Sequence, residues 1–119
     1  MKKILFISRH APYGNSYARE ALDALLAASA YDQNLSLLFM DDGVFQLLPN
    51  QNPTFIHQKN MAASLQALEL YGIENIYCLS SSLIERGLNQ TDLILENIKL
   101  IDTITTNSLI SQQDQLISF

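Results

Sequence analysis

Four short apolar runs constrain this chain more than any other feature: KKILFIS at residues 2–8, LSLLFM at 35–40, NIYCLS at 75–80 and QLISF at 115–119. The first is rich in β-branched and aromatic residues and does not alternate between apolar and polar. That pattern marks a strand buried on both faces rather than an edge strand with one wet face. Segments with helical spacing separate the runs. Ala18, Ala21, Leu22, Leu25, Ala28 and Ser29 share one face of a helix that Asn15 or Ser16 can cap, and Glu20 sits in its first turn, where the helix dipole favours an acid. Met61, Leu65 and Leu68 predict a second helix from about Thr54 or His57 to Tyr71, with Gly72 as its stop and the NQNP stretch at 50–53 before it. SSLIERG, at residues 81–87, reads as a short helix opened by serines and closed by Gly87.

Between Thr91 and Gln113 the apolar residues fit both periods. The reading adopted is a strand at Lys99–Ile101 and a helix over Thr103–Ser111, although Thr and Ile are weak helix formers. Strands alternating with helices predict an α/β fold: a single three-layer domain over residues 1–119, with about five mostly parallel strands and helices on both faces. In open sheets of this kind, working sites gather beyond the carboxyl ends of the strands. Those ends are Ser8–Asn15, Asp41–Leu48 and Cys78–Ser82.

Composition narrows the functions. At 119 residues, 48% of them apolar, the chain can bury a real core without staples. A net charge of −5, with no basic run longer than Lys2-Lys3, argues against direct binding of nucleic acid. The apolar start, Ile4 to Ile7, is too short for a signal peptide or a membrane span, so a cytoplasmic protein is expected. The single cysteine, Cys78, excludes an internal disulfide and a multi-cysteine zinc site.

Chemical constellations fail in turn. After the first strand only Gly14 is available, so the three-glycine dinucleotide fingerprint is missing, and so is a phosphate-binding P-loop. A phospho-acceptor reading fails because Ser8-Arg9-His10 and Cys78-Leu79-Ser80 stand where its acids belong. His10 and His57 lie far apart, with no cysteine beside them, and predict no metal site. Asp41-Asp42 is read as a solvated turn with Gly43, because neighbouring side chains at a strand end point in opposite directions. Cys78 precedes a serine-rich helix start, which favours a reactive thiolate. It also lies inside an apolar run, which favours an inert buried thiol, and the second reading is preferred. No cofactor is expected.

One segment resists these assignments. In FMDDGVFQLLPNQ, residues 39–51, Val44, Phe45, Leu47 and Leu48 stand where a surface loop should be polar. Either they fold onto the sheet as a short amphipathic helix, or a partner subunit covers them. Composition leaves both open.

The stretches APYG, AREALDALLA, DDGVFQLLP and IYCLSSSLIERGL, taken in order, closely resemble the DsrE/DsrF/DsrH family of sulfur relay proteins. The resemblance implies a parallel α/β fold and assembly with TusB-like and TusD-like chains into a dimer of heterotrimers. It implies transfer of persulfide sulfur towards a TusE-like carrier and thiolation of the wobble uridine of certain tRNAs. Homologous sets serve dissimilatory sulfur oxidation instead. The family's acting cysteine belongs to the TusD-like chain; counting back from Gly87, its position here is Leu79, with Cys78 one place earlier. No catalytic residue is therefore carried over, and the alternative, a direct persulfide carrier using Cys78, is the rival. With the resemblance, Asp42, Val44, Phe45, Leu47 and Leu48 become the expected subunit contact.

Overall fold

A computed structural model describes residues 2–12, 15–31, 34–48, 65–94 and 97–119. Its strands are β1 (Lys3–Ser8), β2 (Asn34–Phe39), β3 (Asn75–Leu79), β4 (Lys99–Ile101) and β5 (Gln115–Ser118). Its α-helices are α1 (Tyr17–Ala28), α2 (Ser80–Glu85) and α3 (Thr103–Ser111). All five strands lie in one sheet, ordered β4-β3-β2-β1-β5, and every neighbouring pair is parallel. The α/β fold with a five-stranded parallel sheet read from the sequence is thus the observed one. The central strands β1 and β2 run in register from Lys3 opposite Asn34 to Ser8 opposite Phe39. Five of the six β2 residues are buried, as an apolar run without alternation requires.

The strand order determines how the two faces are covered. From β1 to β4 the chain steps in one direction across the sheet; from β4 to β5 it returns to the opposite edge. Right-handed crossovers therefore place the connections of the first three steps on one face and that of the last on the other. The packing agrees. Ala18, Leu22 and Leu25 of α1, with Leu65, Leu68 and Leu83, form one large core with Phe6, Leu37, Phe39, Ile76 and Cys78. On the opposite face Leu5, Ile7 and Leu38 pack against Leu109 and Ile110 of α3.

Local signals set the helix ends. Of the two candidates Ser16 is the N-cap, its carbonyl accepting from the Glu20 amide at 2.9 Å, while Asn15, one position earlier, accepts from the Tyr17 amide through its side chain at 3.0 Å. The weak helix formers of α3 are offset by Asp102, whose carboxylate accepts from the Thr105 amide at 2.7 Å. Hydrogen bonds from the Thr105 amide and, second, its side chain hold the Asp102 carboxyl below its ordinary pKa. The predicted second helix falls mostly outside the described residues, as do His57 and the NQNP stretch. Its described end is a 3₁₀ turn, Leu68–Tyr71, stopped by Gly72 at φ +80°, a conformation glycine adopts without strain.

Candidate interaction site at the carboxyl edge of the sheet

The carboxyl ends of β1, β2 and β3 converge on a single segment, the 3₁₀ helix Asp41–Leu47 that leaves β2. Three chain segments are fastened to it. The Met40 amide donates to the Ser8 carbonyl at 3.2 Å, and the Gly43 amide donates to the Met40 carbonyl at 2.9 Å. Gln46, almost fully buried, donates through Nε2 to Ser8 Oγ at 2.6 Å and to the His10 carbonyl at 2.9 Å. A buried amide needs such partners. The Asp41 amide donates to Ser82 Oγ of α2 at 3.0 Å, and the Ile94 amide donates to the Leu47 carbonyl at 2.7 Å.

The two acids of the turn divide as adjacent residues must. Asp41 pairs with Arg9 beyond β1, and Asp42 with Arg86 at the end of α2, each at 3.0 Å. All four groups keep contact with water, so each pair contributes on the order of 0–1 kcal/mol. The solvated turn read from sequence is therefore also a junction between β1 and α2.

A 3₁₀ helix repeats every three residues, so side chains at i and i+3 lie on one face. That spacing splits the expected contact set. Val44 and Leu47 point inward and are 0% exposed, packed in the large core with Phe6 and Phe39. Phe45 and Leu48, one position on, are half-buried, and Asp42 is exposed. The expectation that a partner is needed to cover Val44 and Leu47 is thus corrected: this chain's own core covers them. Asp42, Phe45 and Leu48 are the members of the set that reach the surface.

Cys78 is a buried free thiol. It is 0% exposed, shares the large core with Ile76, and its thiol lies 3.9 Å from the Leu79 carbonyl. Burial pushes the thiol pKa up to about 12. A group whose folded pKa is raised stabilises the fold below its unfolded value of about 9.0, and that contribution is lost as pH rises towards 12. Two outcomes follow. A thiol-specific reagent at pH 8 should leave the native chain unmodified and label it on unfolding. Stability should also decline above pH 9, and less so in Cys78→Ala once its lower baseline is subtracted. Rapid labelling of the native chain would contradict the burial.

His10 packs against Tyr17 with the rings tilted by 42° and their centroids 4.7 Å apart, and among the described residues no three His, Cys, Asp or Glu side chains gather as a metal site would need. No described helix is long and apolar enough to cross a membrane. Sequence reasoning missed Gln46, Ser8, Ser82, Arg9 and Arg86. One signal was present: a lone glutamine inside VFQLL is either exposed or hydrogen-bonded within the fold, and its apolar neighbours favour the second.

A family model described as the DsrE/DsrF-like family matches residues 2–119. The chain belongs to that family. Its relatives include Protein TusC of Buchnera aphidicola subsp. Acyrthosiphon pisum, 39% identical over 119 residues and covering 100% of both chains. They also include the Protein TusC homolog of Pseudomonas aeruginosa, 41% identical over 117 residues and covering 98% of each. Among solved structures, the ychN protein from E. coli superposes with a TM-score of 0.80 at 21% identity, covering 100% of both chains. That likeness is one of fold. For this DsrE/DsrF-like chain the fold alone would not specify a role, because function resides in the site; the full-length relatives carry the functional argument further.

Proposed function

We propose that this chain is a non-catalytic subunit of a sulfur relay complex, and that it contributes a contact surface rather than a sulfur-carrying thiol. In a relay step an acceptor thiolate attacks the outer sulfur of a donor persulfide. A new S–S bond forms, the old one breaks, and the donor leaves as a thiolate. A participant therefore needs an exposed, ionisable thiol. The sole cysteine here is enclosed and held protonated, and this is the observation that carries the reading. It counts against the rival in which Cys78 carries the persulfide.

Kinship with TusC proteins over the full chain supports a place beside TusB-like and TusD-like chains in a dimer of heterotrimers. The sulfur then passes to a TusE-like carrier and on to the wobble uridine of tRNA. A net charge of −5 suits a protein that hands sulfur to another protein and leaves the grip on tRNA to others. On this reading Asp42, Phe45 and Leu48 meet a sister subunit in a cytoplasmic assembly.

Phe45→Asp tests the contact. It places a charge on the half-buried residue between Val44 and Gln46 without touching the inward pair. Recovery with co-expressed sister chains should fall by about tenfold or more, as for a centrally placed aromatic contact. The melting temperature of the chain alone should change by only a few degrees. Undiminished recovery would mean that the segment is internal packing and nothing more.

A further inference from the structure

The Asp41-Asp42 turn holds one residue in a backbone conformation that side chains disfavour. Asp41 is the sole non-glycine residue with positive φ among those described, at +52°. The left-handed region disfavours any side chain, and aspartate tolerates it only with local support. Arg9 supplies that support, its Nε donating to Asp41 Oδ2 at 3.0 Å. The position of the strained bond matters more than the strain. The Asp41 amide, on one side of the N–Cα bond, donates to Ser82 Oγ of α2. The Asp42 carboxylate, on the other side, accepts from Arg86, whose Nη1 also donates to the Ser82 carbonyl at 3.2 Å. A change of φ at Asp41 re-aims the chain on one side against the other, so both grips on α2 cannot survive it.

We propose that Asp41 is a conformational latch through which Arg9, just beyond β1, controls the order of α2. Arg9 holds the left-handed state, that state holds Ser82 and Arg86 together, and release of Arg9 lets the turn relax and loosens α2. Gly43 keeps the other end of the turn fixed, since it sits directly against the Ser8 carbonyl. Coupling between separated segments requires an element with two discrete arrangements, and a backbone that can leave the left-handed well provides one. The latch is a property of the single chain and stands whether or not the assembly proposed above forms.

Amide hydrogen exchange in the full chain tests it. The Arg86, Gly87 and Leu88 amides, which close α2 through bonds to Leu83 and Ile84, are the reporters. In Arg9→Met these amides should exchange about two- to fivefold faster, the ratio an exposed ion pair can supply, while the β1, β2 and β3 amides keep their rates. Arg9→Lys should restore part of the protection. Glycine adopts positive φ without help, so Asp41→Gly, which also removes the Arg9 pair, should keep α2 protection closer to that of the native chain than Asp41→Ala, which loses the pair and retains the strain. Three results would overturn the latch: unchanged α2 exchange in Arg9→Met, equal acceleration of every amide, or equal α2 acceleration in Asp41→Gly and Asp41→Ala.

Discussion

Gly43→Ala is expected to destabilise this protein by about 3 kcal/mol or more, an overpacking cost at the upper end of the usual range because the obstacle is backbone. A Cβ at residue 43 would lie 2.0 Å from the Ser8 carbonyl oxygen and 2.8 Å from its carbon. Neither atom can rotate aside. Both belong to the last residue of a central strand, paired with β2 and fixed further by the Met40 amide. In a domain of this size the change should lower the thermal midpoint by roughly 10 °C. Gly72→Ala is the comparison. At φ +80° with nothing within 4 Å, that site carries backbone strain but no collision, and should lose only about 1 kcal/mol. Similar melting of the two variants would mean that the turn is not seated against β1.

Leu47→Ala should be nearly as damaging, at about 2–5 kcal/mol, the range for truncating an enclosed leucine where the surroundings cannot collapse. Leu47 is 0% exposed and belongs to the large core that includes residues of β1, β2, α1 and α2. Chemical denaturation of Leu47→Ala and Phe45→Ala measures how residues two apart in one short helix differ. A large loss for the first and a small one for the second is expected. Equal losses would contradict the inward–outward division of the segment.

That division also marks where the sequence was readable. Strands announced themselves because a parallel sheet covered on both faces leaves few positions for polar residues, so KILFIS and NLSLLF stand out. The short strand and the helix near the carboxyl end were read correctly although Thr and Ile are weak helix formers. The faces follow from strand order, which no local pattern encodes. At the candidate site the difficulty was one of period. An α-helical or loop reading of DDGVFQLL treats its four apolar side chains as one patch, whereas a three-residue repeat separates Val44 and Leu47 from Phe45 and Leu48. Gly43 was legible as part of a turn. Its second role, close approach to another strand, depends on a neighbour some 35 residues away in sequence. The ion pairs of Arg9 and Arg86 were hidden for the same reason.

Cys78 shows how a single register position decides chemistry. It shares a face with Ile76 in the large core, whereas its strand neighbours Tyr77 and Leu79 take the alternate face. Placed where it is, it is protonated packing.

The central claim, that this chain works as a subunit of a relay complex and not alone, is tested most directly by co-expression with one TusB-like and one TusD-like chain, followed by native mass measurement. A single species containing all three chains, with no persulfide sulfur on Cys78 after treatment with a cysteine desulfurase and cysteine, is the expected result. A stable monomer of this chain, eluting alone at physiological concentration with both partners present, would contradict it.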